Sequence, residues 1–243
     1  MYLFLSFFTN IYQEGFSFMK MSKVIFKFDK EKDLWNNWDT INYISPWEGK
    51  RLHRIPILDK ICKGKEFKES KKEIEKFCKP MHDSPLLPLI IESFQKAWNK
   101  INNKFFKRLE KITGKPMPFN KVTGYLTTQM RCPYDPKEPS FMVSMFANIP
   151  YALNTCAHEL MHIHFHNTYW EKIEREIGKE KTADLKEALT VLLNLEFRNL
   201  WILKDKGKDN EDQQKLRTFI EKQWKKEPNF DLLLDKCVGY LKK

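Results

Sequence analysis

The chain has 243 residues, enough to bury a sizeable core without covalent staples. Its formal charge is +11, but the lysines are interleaved with acids rather than gathered in an arginine-rich tract, so they read as solvated helix faces. Nucleic acid is thereby open as a partner but not favoured. Five scattered cysteines (Cys62, Cys78, Cys132, Cys156 and Cys237) form no Cys-x-x-Cys pair, which argues against a disulfide framework or a thiolate zinc knuckle. They point to a reducing compartment, read here as cytoplasmic.

Residues 1–20 read as a loose arm or an over-long gene start. The apolar run from Met1 to Phe8 is too short to span a bilayer and lacks the flanks of a signal peptide, so no membrane partner is expected. Residues 21–120 read as a mostly helical N-terminal region. Within it, 22–60 is Trp-rich and irregular (Trp35, Trp38, Trp47), with turn signals at Asn36-Asn37 and Ser45-Pro46. A basic amphipathic helix is predicted over 66–78 and a long one over 86–113, where Leu87, Ile90, Phe94, Trp98, Ile101, Phe105 and Leu109 recur at helical spacing up to Gly114.

Residues 121–243 read as a metal-binding core that forms one compact unit with what precedes it. Strands are predicted over 121–131 and 140–147, joined by a loop carrying Pro133, Pro136 and Pro139. A helix follows from Pro150. Another, over 181–204, is apolar nearly all round (Leu185, Leu189, Leu192, Leu193, Trp201), and helices over 210–226 and 230–242 close the chain. The expected class is α+β, predominantly helical, with one small mixed or antiparallel sheet beside the helix that starts at Pro150.

That helix carries His158-Glu-Leu-Met-His162. An α-helix turns about 100° per residue, so the two histidines share a face and can hold one metal ion. Glu159 stands beside the first ligand, where its carboxylate can take a proton from a water on that metal. Zinc, one per chain, is the expected ion. A catalytic zinc takes three protein ligands and one water. His166 continues the series, but its Cα would lie about 12 Å from that of His158 along a straight helix. His164 faces elsewhere. Glu187, inside the apolar helix over 181–204, is the better third ligand, because a buried carboxylate needs a partner. Asp184, His166 and Glu196 stay open as alternatives.

A strand pair, a helix bearing His158-Glu159-Leu-Met-His162 and a second helix bearing Glu187-Ala-Leu189 resemble the gluzincin branch of the zincin metallopeptidases. The likeness covers roughly residues 121–200. It implies a zincin-like fold, ligation by His158, His162 and Glu187, Glu159 as general base, a peptide or protein substrate, and a rim strand at 140–147 that pairs with the extended substrate. The metzincin motif is a poor match, since Phe165 and Thr168 stand where it needs Gly and His. The chain also departs from many gluzincins in having Val191, not Asp, four positions after the Glu ligand. The group that orients a ligating histidine must then come from elsewhere, such as Asp184 or Asn194. Tyr169, Tyr240 and Tyr125 are candidate oxyanion donors. The expected activity is zinc-dependent peptide-bond hydrolysis. The competing expectation is a non-catalytic, basic, zincin-like binding protein with a nucleic-acid or protein partner.

Overall fold

The computed structural model describes residues 21–44 and 55–242. The expectations for residues 1–20, Ser45-Pro46 and Trp47 lie outside the described residues. The order of elements is β1 (Lys23–Phe28), α1 (Lys30–Asn42), α2 (Pro56–Cys62), α3 (Phe67–His82), α4 (Leu86–Thr113), β2 (Lys121–Thr127), β3 (Tyr134–Asp135), β4 (Ser140–Ser144), α5 (Ile149–Thr168), α6 (Trp170–Leu189), α7 (Val191–Glu196), a 3-10 turn (Arg198–Leu200), α8 (Glu211–Lys226) and α9 (Phe230–Leu241). The class is α+β, dominated by helix, with one mixed four-stranded sheet. No helix among the described residues is long and apolar enough to cross a membrane.

The sheet order is β1-β2-β4-β3, parallel except for the antiparallel β3–β4 pair. β1 and β2 can be parallel because α1 to α4 supply the long crossover that such a pair needs. The outer edge of β1 does not lie bare. Gln95 of α4 accepts from Phe26 N at 2.9 Å and donates to Val24 O at 3.0 Å, and Asn102 donates to Ser22 O at 2.9 Å. These amides take the place of a further strand and blunt the edge. Residues 140–147 are not a rim: β4 is interior, and the two-residue β3 forms the border.

The described parts of the segment 22–60, residues 22–44 and 55–60, are more regular than the composition suggests. β1 alternates buried and exposed residues, and α1 buries a face made largely of Asp33, Asn36, Asn37 and Thr40. Leu34 and Ile41 face the smaller core at helical spacing, but the buried polar residues between them obscure that apolar pattern in the sequence. Asp33 accepts from Thr127 Oγ1 and Thr128 N, each at 2.7 Å, while Asn36 and Asn37 donate to Thr127 and Thr128 at 2.9 Å. α1 is thus fixed to the C-terminal end of β2, from which the chain runs into the cleft. The main core joins sheet, α4, α5, α6 and the C-terminal helices around Trp98, Phe105, Leu160 and Phe197, and a smaller one (Leu34, Leu58, Ile74) lies among α1, α2 and α3.

α5 starts where Asn148 accepts from Tyr151 N, with Pro150 in the first turn, where its missing N–H costs nothing. Tyr169 alone separates α5 from α6. A straight helix would carry Glu187 about 27 Å from this turn, whereas His162 lies only about 10 Å back along α5. The path is broken at Gly178, with φ 78° and ψ 166°, which brings Glu187 back against α5. That backbone region is essentially closed to residues with a Cβ. The expected helix over 181–204 is interrupted again: α6 ends at Leu189 and α7 at Glu196. Its pieces are buried from several sides, which explains the all-round apolarity without one long helix.

Gly178→Ala separates the two accounts by sign. In a continuous helix it would raise stability by roughly 1 kcal/mol. At this kink it should lower unfolding free energy by about 1–3 kcal/mol in urea denaturation.

Candidate metal centre

α5 and the second half of α6 bring His158, His162 and Glu187 together. The imidazole centroids are 4.3 Å apart. Glu187 reaches both rings, Oε1 lying 3.3 Å from His162 Nε2 and Oε2 3.7 Å from His158 Nε2. These gaps are long for N–H···O bonds. They match the spacing of about 3.4 Å expected between donor atoms that share a tetrahedral ion at roughly 2.1 Å. His162 Nε2 and Glu187 Oε2 are buried without a hydrogen-bond partner among the described residues. Unpartnered donor atoms converging in a buried place fit a divalent cation, and the two-nitrogen, one-carboxylate set fits zinc. The side chain of His158 is 19% exposed against 3% for His162 and 5% for Glu187, so the triad opens to solvent on the His158 side.

Asp33, Cys78 and His82 also lie close together, but the chemistry differs. His82 Nε2 is bonded to Asp33 Oδ2 at 2.7 Å, and the Asp33 oxygens also accept from Thr127 and Thr128. That carboxylate is already spent on hydrogen bonds that fix α1 and α3 to β2.

His158 is oriented from behind by Asp205, whose Oδ2 lies 2.7 Å from Nδ1. Asp205 Oδ1 accepts from Thr190 at 2.8 Å and from Arg217 at 3.1 Å, and Asn194 clasps the Asp205 backbone through both its amide atoms. The orienting carboxylate therefore comes from the loop after α7, not from Asp184. Asn194 has a part, but one step removed, holding Asp205 in place. With Nδ1–H directed at Asp205, Nε2 is the His158 atom turned toward Glu187. His162 has no such brace, since its Nδ1 is also unpartnered.

The charges follow from burial and proximity. Burial disfavours the His158 cation, but Asp205 and Glu187 outweigh it and raise its pKa to about 10. Burial keeps His162 neutral, lowering it to about 3, with Lys186 adding to the effect. Burial opposes charge on Glu187 as well, yet the imidazoles and Lys186 hold its carboxyl well below the ordinary range. Glu159, buried beside them, is pushed up by burial to about 7, with His158 pulling the other way. A carboxylate poised near neutrality suits proton transfer.

The triad lies in a cleft of about 850 Å³. One wall is the segment Met130–Tyr134, the other the loop Leu203–Lys208, with Glu159 between them and Tyr43, Tyr151 and Asn154 at the margins. Tyr134 packs its ring 5.4 Å from that of His162, and Lys186 Nζ lies 4.8 Å over the same ring and 3.0 Å from Glu187 Oε1.

The remaining candidates lie elsewhere. Asp184 receives Gln213, Glu196 receives Trp224 Nε1 at 2.7 Å, and His166 stacks on Trp170. His164 is bonded to Lys115 O. Of the tyrosines, Tyr169 donates to Thr113 O, Tyr240 stacks on Phe219, and Tyr125 lies beneath Lys27 and Lys32. None of the three lines the cleft; Tyr134 does. Asp205 sits in a loop and Tyr134 in a two-residue strand, and neither stretch carries a periodicity that assigns a direction to the side chain. The one available signal for Asp205 was an acid isolated among lysines, in Lys204-Asp205-Lys206-Gly207-Lys208.

No family model, curated protein or solved structure matches this chain. Its chemistry has to be read from the site itself.

A raised histidine pKa stabilises the fold fully below the unfolded value near 6.5, and the contribution disappears as pH rises through the folded value. The metal-free protein should therefore lose stability between pH 7 and about 10, where His158 gives up its proton. Thermal unfolding followed across that range should show the decline, and Asp205→Asn should flatten it.

Proposed function

We propose that this protein is a zinc-dependent peptide hydrolase with a zincin-like core. The convergence of His158, His162 and Glu187, buried with unpartnered donor atoms and flanked by Glu159 at the base of an open cleft, carries the reading. A ligand pair on one helix with a carboxylate from the next, beside a small mixed sheet, is the arrangement expected of a gluzincin. It supports the resemblance drawn from the motif.

His158, His162 and Glu187 would hold the zinc, which supplies Lewis acidity that polarises a carbonyl and brings water toward ionisation near neutral pH. Glu159 takes the proton of the attacking water and delivers it to the leaving amine. Its proximity to neutrality makes it able both to accept and to release that proton. Asp205 keeps His158 turned with Nε2 toward the site. Tyr134 is the nearest phenol, and with the Lys186 ammonium over its ring it is the donor best placed to stabilise negative charge developing on the carbonyl oxygen. β3, as the border strand, offers main-chain groups to an extended peptide.

Purified protein should carry about one zinc per chain, removable by chelator. Glu159→Gln should cut turnover on peptide substrates by roughly 10²- to 10⁴-fold with zinc content unchanged. Normal turnover in that variant would sink the mechanism. Asp205→Ala should weaken zinc binding about 10- to 100-fold in a competition titration against a chromophoric chelator.

A further inference from the structure

The loop that orients His158 also charges the cleft. Asp205 is turned inward onto His158, Thr190 and Arg217. Gly207, at φ 65°, presses so closely on Arg217 that a Cβ there would lie 2.5 Å from its Nη1. The loop is seated by these contacts, and the alternation along it leaves Lys204 and Lys206 exposed on either side of the buried Asp205. Both line the cleft, and no acid among the described residues pairs with either. Lower down, Lys208 and Lys186 approach Glu187 at 3.7 and 3.0 Å. Arg131 also lines the cleft but is ion-paired with Asp39, so it adds no net charge there. Glu187 and Lys186 balance one another and Asp205 is matched by Arg217, which leaves Lys204 and Lys206 as the cleft cations with no acidic partner among the described residues. The field at the mouth is positive, and a bound divalent cation would add to it.

We propose that this cleft takes an acidic peptide segment, whose carboxylates are held by Lys204 and Lys206. The inference rests on the peptidase reading and narrows it to a class of substrate. The shape favours peptide over nucleic acid. The border strand β3 presents main-chain groups, while the exposed Met130 and Tyr151 at the margin offer apolar contact to side chains between the acidic ones. Lys204 and Lys206 line the same cleft as Glu159, so an acidic segment held by them lies in the cleft with the reacting groups.

The test is binding by full-length, zinc-loaded Glu159→Gln protein to fluorescent peptides of one length carrying Glu, Ser or Lys at the same positions, beside a single-stranded oligonucleotide of equal charge. The Glu peptide should bind roughly five- to tenfold tighter than the Ser peptide, with the margin shrinking as salt is raised. Adding Lys204→Ser and Lys206→Ser should remove most of that margin while leaving Ser-peptide binding and zinc content unchanged. Lys204→Glu with Lys206→Glu should turn the preference toward the Lys peptide. Equal binding of all three peptides overturns the proposal, as does tighter binding of the oligonucleotide that depends on the same lysines. Wild-type turnover separates the two readings. Cleavage without charge preference defeats this inference alone. Lysine-dependent binding of the acidic peptide with no cleavage of any peptide upholds the charge recognition and defeats the peptidase reading.

Discussion

The Asp205 carboxylate is the interaction on which the site's geometry depends. It joins its own loop to His158 on α5, Thr190 between α6 and α7 and Arg217 on α8, while Asn194 on α7 holds the Asp205 backbone. A buried carboxylate is costly unless nearly every lone pair is matched, and here hydroxyl, guanidinium and imidazole all contribute. Satisfying it leaves little choice in where these elements sit relative to one another. Its pKa is lowered to about 2: burial works against the anion, and His158 and Arg217 overcome that cost. The same contact that sets the His158 ring therefore also locks the C-terminal helices to α5.

Glu187 is the complementary constraint. It is buried between two imidazoles and flanked by Lys186 and Lys208, yet Oε2 has no hydrogen-bond partner among the described residues. The protein thus keeps a charged oxygen and a neutral ring nitrogen of His162 facing one another without closing a good hydrogen bond. Such an arrangement is costly as pure structure and makes sense when a cation completes it. In the metal-free state the His158 proton partly serves that purpose, because Nε2–H points toward Glu187. A metal held there would compete with that proton for the same nitrogen, so its affinity would rise with pH.

Much of the chain could be read from residue pattern alone. α4 follows the expected 86–113 stripe to Gly114, and α8 and α9 fall at the expected 210–226 and 230–242, each packing an apolar face against the core. His158, His162 and Glu187 are brought together as the helix arithmetic and the burial argument anticipated. The failures share a cause. α1 hides a largely polar face inside, the 181–204 segment is apolar on all sides, Asp205 lies in a loop, and Tyr134 lies in a strand of two residues. In each case the direction of a side chain is decided by a distant partner: Asp33 by Thr128, Asp205 by His158, Tyr134 by His162. Hydrophobic periodicity reports only which face meets the core, so it is blind to contacts of this kind.

The lysine excess looks different once the loop is in place. Along the helices some lysines are paired locally, as in Lys215 with Glu211 and Lys225 with Glu221, exposed pairs that contribute little to stability and do not create a field. Between Trp201 and Asn210 the pattern changes. The one acid flanked by lysines, Asp205, is withdrawn into the protein to hold His158, so the charge it would have balanced is left on the cleft wall. Orientation of the histidine and the positive character of the mouth thus arise from the same few residues. Gly207 fixes the course of that loop, because its contact with Arg217 leaves no room for a side chain there.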